Sequence, residues 1–167
     1  MIARRTVWIM AVASGVSVAN LYYNQPLLAR MADDFGVTAP RMGIVSTLGQ
    51  MGYGLGLLLF VPLGDLFERR RLILIMLAAV TLALLAVAVS PGFSWLAAAT
   101  FATGAATIVP QLIIPFAASI AEPSERGKVV GTVMSGLLIG ILVARTVSGV
   151  VGLYLGWRAM YGIAAAL

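Results

Sequence analysis

Long runs of uncharged, mostly apolar residues separated by short polar connections dominate the sequence. These runs cover residues 6–29, 42–64, 72–121 and 129–155, the last interrupted only by Arg145. A helix that crosses a bilayer needs about 20 mostly apolar residues, so each run is long enough to span one. The pattern predicts an all-α, polytopic membrane protein.

Residues 72–121 are too long for one crossing, and the turn sequence SPGFS at 90–94 divides them into two helices. From Trp157 the sequence is apolar again, but it stops at Leu167, and roughly ten residues cannot cross a hydrocarbon core of about 30 Å. We therefore predict a single bundle over residues 1–167, with five complete transmembrane helices and a truncated sixth. The spans fall at about 7–29, 42–63, 72–89, 95–120, 129–155 and, incomplete, 157–167.

The first run has an alternative interpretation as a secretory signal, because Arg4 and Arg5 precede it. Four further spans and an uncharged run that continues through Leu28 favour a transmembrane helix. Orientation follows from the basic residues, which are richer in cytoplasmic loops. A cytoplasmic N-terminus places Arg4, Arg5, Arg69, Arg70, Arg71, Arg126 and Lys128 inside and only Arg30, Arg41 and Arg158 outside, so this topology is predicted.

Composition agrees with a membrane location and excludes several functions. Hydrophobic residues make up 61% of the chain and charged residues 10%, against about 25% charged in soluble proteins. The isoelectric point near 10.2 suggests nucleic acid, but the basic residues are scattered over loop ends, which suits a lipid bilayer and not a nucleic-acid partner. The chain has no Cys and no His, so we expect no metal site and no cofactor. No nucleophile lies beside a base, and an enzyme is not predicted.

Polar side chains inside the spans indicate a candidate substrate cavity. Ser14, Ser17, Asn20 and Asn24 recur at steps of three and four, on one face of the first helix. Such a stripe fits either a water-filled cavity or hydrogen bonds between helices. The predicted cavity residues are Asn20, Tyr23, Asn24, Gln50, Gln111 and Arg145.

Arg145 is the most informative of these residues, because it lies well inside the fifth span. Its distance from the outer end, about 15 Å of helix, exceeds the reach of an arginine side chain, so the guanidinium must face protein or water. It keeps its charge at physiological pH and cannot carry a proton. Three roles are consistent with this position: the guanidinium could bind an anionic substrate group, shift the protonation of a nearby carboxylate, or hold helices together through carbonyl oxygens.

Small residues recur every four positions along the fifth span and predict close helix packing. This ridge, which we call the small-residue ridge, consists of Gly136, Gly140, Ala144, Ser148 and Gly152. The hydrophobic effect does little to bring helices together in lipid. Van der Waals contacts between closely approaching backbones stabilise the association instead. Packing alone explains the ridge, and rigid-body rocking along a smooth surface is a further possibility.

Two connections and one helix end resemble the major facilitator superfamily of secondary transporters. Residues 61–70, VPLGDLFERR, are similar to its loop signature G-x-L-A-D-R-x-G-R-R, and residues 123–127, PSERG, to its P-x-E-R-G. Residues 144–149 and the later Gly156-Trp157-Arg158 resemble the fifth-helix G-P-x-x-G-G and the G-W-R of the drug:proton antiporter branch, with Arg145 in place of the proline. The resemblance implies the N-terminal half of a twelve-helix carrier in a bacterial inner (plasma) membrane, with the C-terminal half as its missing partner.

The resemblance also implies a conformational latch at the cytoplasmic loops. Asp65 lies near a helix C-terminus, where its charge is unfavourable unless cations compensate it. The latch residues are Asp65, Arg69, Arg70, Glu122, Glu125 and Arg126, with Asp65 meeting the opposite half when the carrier closes. A static topology anchor is the alternative.

The predicted function is secondary active transport of a small organic solute by alternating access, with proton-coupled efflux. No Asp or Glu lies deep in a complete span, so the main proton carrier is expected outside this sequence. The alternative from another class is a non-transporting membrane scaffold or assembly protein.

Overall fold

The computed structural model describes residues 3–167, apart from the side chain of Asp65. Within this part the chain is helical and contains no strand. The helices are α1 (Arg4–Ala19), α2 (Leu28–Phe35), α3 (Ala39–Phe60), α4 (Leu63–Leu66), α5 (Arg69–Ala88), α6 (Phe93–Ala106), α7 (Val109–Ile120), α8 (Arg126–Leu155) and α9 (Trp157–Ala166), with a 3₁₀ turn at Gln25–Leu27 before α2.

Four helical segments of the described residues are long and apolar enough to cross a membrane. They are Ala39–Phe60, Arg69–Ala88, Phe93–Ile120 and Arg126–Leu155, where the predicted second to fifth spans lie. Large apolar side chains such as Leu58, Leu142 and Tyr154 are more than 70% exposed on these helices and on the outside of the bundle. Exposure of that extent suits lipid as the solvent. The prediction of an all-α chain with membrane-spanning helices is thereby confirmed.

The predicted first span is not one continuous helix. α1 ends at Ala19 after 16 residues, fewer than the about 20 that a spanning helix needs. Residues 20–24 form turns, and Gln25–Leu27 form the 3₁₀ turn that leads into α2. Pro26 lies in the 3₁₀ turn, where its missing amide hydrogen and its ring prevent a continuous α-helix from running through residues 22–26. By length and composition, four helical segments of the described residues qualify as spans, and the segment at the predicted first span is not among them.

The fourth span is also interrupted, at Thr107 and Ile108 between α6 and α7. Pro110 lies in the first turn of α7 and cannot donate to a carbonyl of α6. The hydroxyl of Thr107 instead donates to the carbonyl of Thr103 at 2.7 Å, a bond that often accompanies helix bending. Both interruptions thus have a proline just beyond them.

Two glycines with positive φ allow the chain to turn sharply at one end of the bundle. Gly36 ends α2 with φ of 60°, and Gly156 separates α8 from α9 with φ of 83°. Side chains other than glycine rarely adopt these angles. The two turns bring α2 and the start of α9 to the same end.

Buried apolar side chains form two clusters that divide the bundle along its length. The outer cluster, as we name it, includes Leu27, Met31, Met42, Leu84 and Met160. The inner cluster includes Val7, Met76, Ile113, Ala117 and Val133. The connections 61–68 and 121–125 lie at the inner-cluster end, and the turns at Gly36 and Gly156 lie at the outer-cluster end.

Candidate functional site

Three of the predicted cavity residues lie in the interruption of the first span. Asn20 and Asn24 are 8% and 5% exposed, and the Oδ1 atom of each has no hydrogen-bond partner among the described residues. A buried amide oxygen without a partner is costly, so both positions are suited to water or a ligand group. Tyr23 packs into the outer cluster instead.

The predicted cavity residues do not meet in one described cavity. A groove of about 470 Å³ between α1, α5 and α9 contains Asn20, with Ser17 and Thr81 as further polar residues, but none of the other five. Gln50 is exposed on α3. Gln111 on α7 is partly buried, and its Oε1 lacks a described partner.

Arg145 is exposed on α8 and contacts the interruption of the first span. Its guanidinium carbon lies 5.4 Å from the centroid of the Tyr22 ring, a cation–π contact. No carboxylate of the described residues forms an ion pair with it. The charge therefore remains available at the surface of the bundle.

The small-residue ridge of α8 lies against the first span. A Cβ atom at Gly15 would come within 2.6 Å of the carbonyl oxygen of Gly136, and a Cβ at Gly140 would meet the backbone of Gly15. Ala144 and Ser148 are buried, and the space at Gly152 is taken by Leu27. Arg30 donates to the carbonyl oxygen of Gly152. The two backbones are in direct contact over much of their length, and they run in the same direction.

A second pair of parallel segments, α3 and α6, packs in the same way. A Cβ atom at Gly52 would collide with the carbonyl oxygen of Phe101, a Cβ at Gly104 would collide with the backbone of Gly49, and a Cβ at Gly49 would press on the methyl group of Thr100. In each pair an interrupted span lies against a continuous helix, α8 or α3. The two interrupted spans thus pack closely on the two continuous helices α8 and α3.

The predicted latch residues lie at the inner-cluster end. Arg69 donates from Nε to the carbonyl of Gly64 at 3.2 Å, and Arg126 donates from Nε to the carbonyl of Ala121 at 3.3 Å. Each arginine opens a helix and reaches back five residues, where it offsets the negative end of the preceding helix.

The other predicted latch residues have more varied surroundings. The side chain of Asp65 lies outside the described part of the structure. Arg70 and Glu122 are exposed, and Glu125 lines a pocket with Arg4 and Lys128.

The end of the bundle that holds the outer cluster also holds a polar cluster that the sequence did not predict. Asp34 Oδ2 accepts hydrogen bonds from Trp157 Nε1 at 2.7 Å and from an Arg158 guanidinium nitrogen at 2.9 Å. Arg158 also donates to the carbonyl of Ser90 and lies 4.2 Å from the Trp157 ring centroid. The sequence marked Trp157 and Arg158 as a motif, but their partner is more than 120 residues away.

These features define a class: a helical membrane protein with closely packed spans, polar interruptions and, inside a spanning helix, an arginine without an ion-pair partner among the described residues. Residues 7–167 match the Major Facilitator Superfamily, and the chain belongs to this family. The predicted family is thereby confirmed.

Curated relatives agree with this assignment. The chain is 46% identical over 159 residues to "Uncharacterized transporter YgaY" of Escherichia coli O157:H7, covering 95% of this chain and 40% of the relative. It is 40% identical over 165 residues to "Probable transporter SCO4007" of Streptomyces coelicolor, covering 99% and 38%. It is 25% identical over 163 residues to "Uncharacterized MFS-type transporter YbcL" of Bacillus subtilis, covering 96% and 42%.

The chain thus spans about two fifths of the length of these relatives. Family membership and the relatives' names point to a non-enzymatic transporter in a membrane. The prediction that the chain is not an enzyme agrees with them.

Proposed function

We propose that this chain forms the first half of a secondary transporter that exports a small organic solute in exchange for protons. The supporting observation is the match of residues 7–167 to the Major Facilitator Superfamily, with relatives that are named transporters. The family assignment supports a small-molecule substrate and a membrane environment. The substrate, the proton and the antiporter branch are part of the proposal.

The proposed architecture has five complete spans and a sixth that continues into a second helical half. The interrupted segment α1–α2 contains the first span, at about residues 7–29. The N-terminus lies in the cytoplasm of a bacterium, with the arginine-rich connection 61–70 on the same side of the inner membrane. Asp65, Arg69, Arg70, Glu122, Glu125 and Arg126 then face the cytoplasm as the latch.

Transport proceeds by alternating access, with the two halves rocking around a central cavity. The backbone contacts α1–α8 and α3–α6 pack the helices of this half closely, which supports its movement as one rigid body. Asn20, Tyr23, Asn24, Gln50, Gln111 and Arg145 are the proposed substrate-cavity residues. The exposed positions Gln50 and Arg145 face the cavity in the assembled carrier.

A transport assay on the full-length gene product tests this function. The protein is reconstituted into vesicles that contain a pH-sensitive dye, and a panel of small organic solutes is supplied with an imposed pH gradient. We expect solute and protons to move in opposite directions, and a protonophore to abolish solute accumulation. Accumulation that ignores the protonophore would remove the proton from the proposal, and a panel without any moving solute would contradict transport itself.

Cysteine labelling separates a transporter from the scaffold alternative. Residues 1–167 contain no Cys, so a single cysteine at Asn20 or Gln50 is the only thiol of this half, and any cysteine in the rest of the full-length protein is replaced first. A water-soluble thiol reagent should label both positions in membranes, because a transporter needs a water-filled cavity there. Absence of labelling at both would favour the scaffold.

A further inference from the structure

Arg145 has an exposed side chain, although it lies far from either end of α8. It lies ten residues before Leu155, the last residue of α8, or about 15 Å along the helix. Its neighbours Ala144 and Ser148 are buried, so Arg145 stands at the border of the α1–α8 contact. The guanidinium is too deep for a headgroup to reach it along the helix.

Tyr22 holds the guanidinium from one side. The ring lies under the guanidinium carbon at 5.4 Å, and it belongs to a turn that is not helical. Tyr22 also packs on the outer cluster, so the contact with Arg145 is anchored in the buried part of the bundle. Arg145 and Tyr22 form what we call the Arg145 group.

The charge balance of the Arg145 group calls for an anion. The chain has six acidic residues, and all of them lie at helix ends or in connections. None of the described carboxylates pairs with Arg145. An arginine stacked on a ring keeps its N–H edge free, and that edge matches a carboxylate with two parallel hydrogen bonds.

We propose that Arg145 is the anion-binding residue of the substrate site, and that the transported solute is a small organic carboxylate. This inference rests on the proposed transport function and names the class of its substrate. The Tyr22 ring holds the guanidinium through the cation–π contact, and the phenol hydroxyl of Tyr22 offers a further hydrogen bond to a polar atom of the solute. A neutral analogue of the same shape lacks the charge that the guanidinium recognises.

Paired probes test the substrate class on the full-length gene product in detergent. Benzoate and benzamide form one pair, and glutarate and glutaramide form another; members of a pair differ mainly in charge. A ligand that binds the folded protein raises its unfolding temperature, and at equal concentration the tighter ligand raises it more. We expect at least one carboxylate to stabilise the parent protein more than its amide does. Arg145→Gln should bind that carboxylate about tenfold more weakly or worse, and Arg145→Lys should retain part of the preference.

Arg41→Gln is the matched control. Arg41 also stacks on an aromatic ring, with its guanidinium carbon 5.0 Å from the centroid of Phe93, but it lies in the first turn of α3 near the membrane surface. This variant should keep the full carboxylate preference. Equal losses in Arg41→Gln and Arg145→Gln would reveal a general charge effect and overturn the proposal.

Other outcomes separate this inference from the transport function. If the parent shows no preference for either carboxylate, or if Arg145→Gln retains it, the substrate class is wrong. Vesicle transport of neutral solutes at parental rate by Arg145→Gln would leave the transporter intact and remove the anion site. In a last outcome, Arg145→Gln lowers the unfolding temperature in the absence of ligand. If neutralising a carboxylate in the other half of the protein restores that temperature, Arg145 forms an ion pair with this carboxylate and the proposal fails.

Discussion

The indole nitrogen of Trp157 donates a 2.7 Å hydrogen bond to Oδ2 of Asp34, across 123 residues of sequence. The same oxygen accepts from Arg158 at 2.9 Å. Trp157 is buried and its ring lies 5.7 Å from that of Phe35. One carboxylate therefore joins the end of α2 to the start of α9.

Asp34→Ala should destabilise the protein by about 1 to 2 kcal/mol. Hydrogen bonds to a charged group contribute about 1.5–3 kcal/mol, and an ion pair with both side chains nearly half exposed adds at most about 1 kcal/mol. The loss of stability falls at the lower end of this range because water replaces part of the lost contact. Thermal unfolding in detergent measures the change.

Asp33→Ala is the control for this prediction. Asp33 is the exposed neighbour of Asp34, and its carboxylate has no hydrogen bond or ion pair among the described residues. The substitution Asp33→Ala removes the same charge from the same turn of α2. Equal shifts of the unfolding midpoint in both variants would show that charge, and not the contact with Trp157, determines stability.

Most of the helices were predictable because lipid immersion leaves a strong signal. A spanning helix has to satisfy its backbone internally and expose apolar side chains, so the uncharged runs correspond to α3, α5, α6–α7 and α8. The interruption of the first span was harder to predict. Pro26 marked a kink, but α1 already ends at Ala19, several residues before the proline, and the spacing of the apolar residues does not mark that point.

The candidate site was less predictable, because it depends on contacts between distant residues. Spacing placed Asn20 and Asn24 on one face, but it could not show that Tyr23 enters the outer cluster while Asn20 faces a groove beside α5 and α9. The depth of Arg145 was readable from its position in the run. Its contact with Tyr22 was not, since no local pattern relates the two helices.

Gly140→Ala should destabilise the contact between α1 and α8. The added methyl group would collide with the backbone of Gly15, which has no flexible side chain to move aside. Overpacking of this kind costs about 1 to 3 kcal/mol. The unfolding temperature in detergent should fall accordingly.

Gly131→Ala, on the same helix, supplies the comparison for Gly140. A Cβ at Gly131 meets no described atom within 4 Å, so this substitution should leave stability unchanged or raise it by up to about 1 kcal/mol. If Gly140→Ala is as stable as Gly131→Ala, the α1–α8 backbones do not approach as closely as described.

Gly52→Ala should likewise weaken the contact between α3 and α6. Its Cβ would collide with the carbonyl of Phe101, whereas a Cβ at Gly54, two residues along the same helix, meets nothing within 4 Å. We expect a loss of about 1 to 3 kcal/mol for Gly52→Ala and none for Gly54→Ala. Retention of the helical circular-dichroism signal on heating provides the measurement, and similar melting of the two variants would argue against this contact.

Asp65→Asn tests the proposed latch by removing one charge from the arginine-rich connection. The variant should insert normally, because the apolar spans that direct insertion are unchanged, but the full-length protein should transport several-fold more slowly. A latch that is broken and remade in each cycle sets the balance between the two open states, and a neutral side chain shifts that balance.

Glu68→Gln is the control for this prediction. It removes the same charge three residues later and should transport at the parental rate, since Glu68 is exposed in the same connection. Vesicle transport rates, normalised to the amount of inserted protein, decide between the two interpretations: equal rates for Asp65→Asn and the parent protein would leave Asp65 as a static topology anchor.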